Sequence, residues 1–260
     1  MKIKIKNKII NSAINVTILS VFLIQPATAA TTDDEWQFQL APLFLWGVSI
    51  DGNAYAGPIT APLGLSFTDD VFENLEAVFT FHFEAKKNKL LIFAEYQYVD
   101  LTPTVTFANG DSAAIGFENI IGELGGGYLI SSTQKTDWEL LGGIRYTKQT
   151  LSATGLPSPP LPVTDIKSGD TWYDLFAGGR VSYHFAQNWK VITRADIGTG
   201  DSNLVWNIAA MVDYRFKEWG SVFAGYKAMD YDFDNDQPGT DGYAIDLRMR
   251  GPLLGLNIIW

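Results

Sequence analysis

From Trp36 to its last residue the chain alternates apolar and polar side chains with a period of two, and this rhythm limits the fold more than any other feature. Such a period places successive side chains on opposite faces of a strand. The first segment sets Trp36, Phe38, Leu40, Phe44, Trp46 and Val48 against Gln37, Gln39, Gly47 and Ser49. Beyond residue 30 no apolar stretch reaches the roughly 20 residues of a membrane-crossing helix. If the chain crosses a membrane, strands must do it. They must also close on themselves, because an open edge in lipid leaves backbone groups unpaired.

Ten segments carry the pattern. After the first, they run over 75–84, 90–100, 114–130, 138–150, 170–185, 189–197, 206–216, 219–229 and 242–260. The connections alternate in length. Residues 86–89, 131–137, 186–188 and 217–218 are short turns; 51–72, 101–114, 152–169 and 230–241 are long loops, with 198–203 an intermediate one. Pro157, Pro159, Pro160 and Pro162 exclude a strand from the third long loop. An even strand count with short turns on one side and long loops on the other predicts an all-β, transmembrane, antiparallel up-and-down β-barrel of about ten strands.

In the tenth segment Tyr243, Ile245, Leu247 and Met249 are odd-numbered, whereas Leu254, Leu256, Ile258 and Trp260 are even-numbered. This predicts a register switch near Gly251-Pro252. Pro42 stands at a similar height in the first strand, and each proline lacks a ladder donor. The seam between first and last strands is therefore expected to be interrupted near both.

Residues 1–29 read as a cleavable signal peptide. Lys2, Lys4, Lys6 and Lys8 precede a short apolar run, Ile14 to Ile24, and Ala27-Thr28-Ala29 offers a small-residue cleavage site. The barrel would then occupy 30–260. Without those lysines, 15 basic groups face 29 acidic ones, a balance that argues against a nucleic-acid partner. The chain has no Cys, so disulfides and thiol nucleophiles are excluded. No cofactor or metal is expected.

The polar phase of the strands nominates a charged lumen: Glu76, His82, Glu95, Glu123, Glu139, Arg145, Asp174, Arg180, Arg194, Asp196, Asp213, Arg215, Lys227, Asp246 and Arg248. Both signs are present. The set suits a salt-bridged filling of a narrow cylinder, with a selectivity-tuned small-solute channel as the alternative. A third possibility is a lipid- or peptide-processing hydrolase using His82 as general base near Glu84 and Glu95. His184 lies beside a short turn and is a poor candidate. The stretch Asp230, Asp232, Asp234, Asn235, Asp236 and Asp241 could offer oxygens to Ca²⁺ but lacks EF-hand spacing.

Phe223-Ala224-Gly225-Tyr226-Lys227-Ala228-Met229-Asp230-Tyr231-Asp232, followed by Gly251-Pro252-Leu253-Leu254-Gly255, resembles the last hairpin of a broad group of poorly characterised Gram-negative outer-membrane β-barrel proteins. Leu141-Gly142-Gly143-Ile144-Arg145-Tyr146 resembles the same group's central strand, while Lys227 replaces the usual Arg. The ending, with Gly255, Ile258 and Trp260, resembles the C-terminal signal of such proteins. It departs in having Trp260 for the usual Phe and Leu253 where a polar residue is commoner. The resemblance implies an outer-membrane barrel, in contact with outer-membrane lipid and recognised by the β-barrel assembly machinery through its C-terminal strand. It implies no catalytic residue.

Overall fold

The structure is a computed structural model describing residues 35–56, 59–67, 74–106, 111–155 and 165–260. The signal-peptide segment and the Pro-rich run lie outside the described residues, as do parts of the first two long loops. The chain forms strands β1 (Gln37–Ala41), β2 (Phe44–Trp46), β3 (Ser49–Ala56), β4 (Ile59–Leu65) and β5 (Leu75–Lys87). Then come β6 (Leu90–Leu101), β7 (Thr104–Thr106), β8 (Ser112–Ser132), β9 (Thr136–Thr154) and β10 (Asp165–Ala186). The last four are β11 (Trp189–Gly200), β12 (Leu204–Lys217), β13 (Gly220–Asp234) and β14 (Tyr243–Ile259).

β1, β2 and β3 are successive pieces of one stave. With it, β5, β6 and β8 to β14 make a ring of ten antiparallel staves. The ring closes where Gln39 meets Ile259 and Leu40 meets Ile258. Phe38 and Trp260 then exchange backbone hydrogen bonds of 2.8 and 3.0 Å.

Tyr183 and Tyr173 mark the two ends of an apolar outer belt on β10, with Leu175 between them 66% exposed. At about 3.3 Å per residue and a tilt of about 40°, the ten-residue separation gives a belt roughly 25 Å tall, the height of a hydrocarbon core. Aromatic rings gather at its short-turn edge, with Trp189 4.5 Å from Tyr214 and Phe38 5.7 Å from Trp260. Leu124, Leu140, Ile144, Ile197, Ile208 and Leu254 continue the belt around the ring. The molecule is a transmembrane β-barrel.

Beyond the belt, toward the long connections, the polarity of the wall reverses. Trp172, Tyr231, Phe233, Tyr243, Ile245, Leu247 and Met249 fill the interior. Asp230, Arg248 and Arg250 meanwhile stand outside, with Arg248 paired to Asp230 at 2.8 Å and Arg250 to Asp51 at 3.1 Å.

This reversal corrects the expected register switch in the last strand. β14 pairs with β13 without a shift from Ala244 to Ile258, and its odd-numbered residues face inward throughout. The side chains change their chemistry with height while the backbone keeps its phase. The irregularity lies in the first stave, at Pro42. Leu40 opposes Ile258 but Phe44 opposes Gly255, so three residues stand against two. This bulge turns Phe44 and Val48 inward and exposes Leu43 and Leu45. The single outward face expected for Trp36 to Val48 is thus split in two.

The expected loops are also partly strand. Within 51–72, β3 and β4 form a hairpin from Ile50–Leu65 to Ala56–Ile59, with β3 also paired to β14. β13 reaches Asp234, inside the acidic stretch. Polar side chains on these segments face water rather than lipid, so their composition reads as loop while their backbone stays in the sheet.

Candidate functional site

The ten-stave ring encloses ionic side chains at belt height, where alternation turns every second residue inward. His82, Glu95, Glu123, Glu139, Arg145, Asp174, Arg180, Arg194, Asp196, Asp213 and Lys227 occupy this interior. Four of the nominated residues do not. A bulge between Leu75 and Ala77 leaves Glu76 exposed. Asp246 and Arg248 face outward above the belt, because there the inward phase is apolar. Arg215 lies at the short-turn rim, donating to the Glu218 carbonyl at 2.8 Å.

Two ion pairs tie nearly opposite staves. Lys227 on β13 reaches Glu95 on β6 at 3.1 Å, and Arg180 on β10 bonds Glu84 on β5 and, at 2.6 Å, Glu139 on β9. His82 lies between these ties, with Nδ1 2.8 Å from Glu95 and Nε2 3.0 Å from Glu84. Both ring nitrogens therefore face carboxylates, an arrangement satisfied when both donate.

Deeper in, Arg145 has no exposed surface and holds Glu123 and Asp196, each at 2.7 Å. Arg194 binds the same two carboxylates at 2.8 Å. Beneath the guanidiniums lie the rings of Phe93 and Phe176, the Arg145 carbon 4.9 Å from the Phe176 centroid. A Cβ on Gly125 would come within 2.4 Å of the Phe93 ring, so only glycine leaves that ring its place.

Above this tier Gln149 donates to Asn119 at 2.9 Å and accepts from the Tyr243 hydroxyl at 3.2 Å. The apolar filling follows immediately. From short-turn end to long-loop end the interior thus passes from a cavity lined by ion pairs to amides and hydrocarbon.

The cavity, about 120 Å³, is lined by Lys86, Lys190 and Arg180 together with Leu141, Phe223 and Leu253. Glu84, Lys86 and Lys190 were not among the nominated residues. Glu84 shares the inward phase of His82, and Lys190 that of Arg194, so the signal was present in the alternation. Lys86 shares it too but falls in a segment read as a turn.

His184 is exposed at the rim, 3.4 Å from Asp137. The acidic stretch is dispersed: Asp230 pairs with Arg248, Asp232 accepts from Asn203, and Asp234 accepts the Asp236 amide. Among the described residues no cluster of acidic or histidine side chains converges as a metal site.

No protein-family profile and no curated protein matches the chain. Solved structures similar to it include three of low identity. A Pseudomonas aeruginosa FadL homologue gives a TM-score of 0.33 at 10% identity, over 86% of this chain and 89% of that one. Ail, the attachment invasion locus protein of Yersinia pestis, gives 0.36 at 9% identity, over 88% and 100%. The P. putida toluene transporter TodX gives 0.30 at 12% identity, over 87% and 90%. The barrel itself rests on its own strand pairing.

Proposed function

We propose that the chain is an integral outer-membrane barrel of a Gram-negative bacterium, with an interior closed to through-passage and a binding or structural role. The observation that carries this reading is the contact between nearly opposite staves: Lys227 to Glu95 and Arg180 to Glu84 bridge the interior from wall to wall. Side chains can fill a cylinder of about this size completely. The apolar filling above adds a second barrier, because hydrocarbon in contact leaves no polar path for a hydrated solute. The apolar belt and aromatic edge supply the lipid contact, and the short-turn end is assigned to the periplasm.

A hydrolytic role is not favoured. A general base must offer a free lone pair to its substrate, and both nitrogens of His82 already face carboxylates.

Planar-bilayer recording tests the proposal. The purified protein, reconstituted at single-molecule density, is expected to give no discrete conductance steps. Reproducible open levels would replace this reading with the small-solute channel.

A further inference from the structure

We propose that the cavity at the short-turn mouth is a binding site for a small organic carboxylate with an apolar body. It rests on the preceding reading only in treating the cavity as blind at its far end.

The first argument is a count of hydrogen-bonding capacity. The carboxylates that line the cavity are engaged by the protein. Glu84 accepts from Arg180 and His82, Glu95 from His82, Gln97 and Lys227, and Asp213 from Ser221 and Asn257. The donors are not used up. Among the described residues Lys190 has one ion pair, with Asp213 at 3.8 Å, beyond hydrogen-bond range. Lys86 makes one contact within range, to Glu139 at 3.2 Å. An ammonium carries three N–H donors, so the two lysines hold most of theirs in reserve. Both remain partly open to solvent, 43% for Lys86 and 29% for Lys190. Each lysine also faces a carboxylate oxygen, Glu84 Oε2 or Asp213 Oδ1, at 3.8 Å, and its remaining N–H donors are left for an anion.

The second argument is the apolar part of the lining. Leu141, Ile192, Phe223 and Leu253 present hydrocarbon to the same space. A hydrated inorganic anion gains nothing from that surface, whereas an apolar ligand body does. The free volume of about 120 Å³ is close to the roughly 150 Å³ that takes benzene. Ligand size is thereby limited to a single ring or short branched chain, with its carboxylate at the lysines and its body against the apolar wall.

Titration calorimetry on the folded protein in non-ionic detergent micelles decides the matter, with benzoate, benzamide and inorganic phosphate as probes. Benzoate is expected to bind saturably at one site, with benzamide at least tenfold weaker and phosphate weaker still. Lys190→Gln should weaken benzoate at least fivefold and leave benzamide unchanged, in a barrel whose tryptophan fluorescence and heat-resistant gel mobility match those of the parent. The proposal is overturned if benzamide or phosphate matches benzoate, if benzoate does not saturate, or if K190Q binds it undiminished. Conductance is a separate readout: a leaky barrel that binds benzoate removes the closed-interior reading alone, and a silent barrel that binds none removes this inference alone.

Discussion

Arg145 is enclosed with Glu123 and Asp196 in contact and its Nη1 without an acceptor. A guanidinium in such a place is held by its partners, and they by it. Replacing it with an apolar residue leaves two buried carboxylates close together and sharing Arg194, and breaking a buried pair this way costs about 3–5 kcal/mol. Arg145→Leu is expected to lose that much in urea unfolding followed by tryptophan fluorescence in lipid vesicles. The fourfold change E123L/R145L/R194L/D196L should lose much less, because it removes both guanidiniums together with the two carboxylates they share. If R145L alone proves neutral, the ion cluster is not a structural unit. The inward side of Arg145, Glu123 and Asp196 was legible in the two-residue period. Their pairing was not, since Arg145 and Asp196 stand two staves apart and their relative height depends on strand stagger, which no single segment encodes.

Strand elements show where alternation fails as a guide. At Pro42 the first stave loses a backbone donor and gains a residue, and from there its backbone ladder with β5 ends: β1 pairs with β5 as far as Ala41, whereas β2 pairs with β14. Thr80 bridges the break. Its hydroxyl accepts the Phe44 amide at 2.9 Å and donates to the Phe44 carbonyl. Opposite, a Cβ on Gly251 would meet the Gly47 carbonyl oxygen at 1.8 Å, so the closing strand approaches the bulge as only glycine allows. The two prolines pointed to an interrupted seam, and the interruption at Pro42 is present. The extra residue lies in the first strand and not near Gly251-Pro252, because a sequence does not show which of two facing strands carries a bulge. Thr80→Val keeps the shape but leaves both Phe44 groups unsatisfied, at about 1–3 kcal/mol. Urea midpoints should fall accordingly for T80V and hardly at all for Thr150→Val, on the outward face of β9 beyond the belt. Equal shifts would show that the hydroxyl does not hold the seam.

For the molecule as a whole, one sheet serves two solvents. At belt height lipid lies outside and ions inside; past Tyr173 water lies outside and hydrocarbon inside, and the staves run through both without a break. A rule that assigns polar residues inward is correct for the lower part and inverted for the upper. Asp246 and Arg248 were therefore placed on the wrong side while Asp213 and Lys227 were not. In the last strand the switch of apolar residues from odd to even positions near Gly251-Pro252 marks the height at which the surroundings change, but by itself it is indistinguishable from a register switch. That height emerges only when the staves are aligned and the aromatic edge is seen as a ring. The two-solvent account makes opposite demands on outward positions. Leu175→Arg puts a charge in the middle of the belt, where such a change costs about 2–4 kcal/mol. Arg248→Leu, outside the apolar core above the belt, should stay within about 1 kcal/mol, since it loses an exposed pair with Asp230 and an exposed contact with the Trp206 ring. Urea titrations of both variants in vesicles compare the two directly. If R248L is as damaging as L175R, or L175R is harmless, the belt does not end where Tyr173 places it, and the upper barrel is not an extramembrane body with a core of its own.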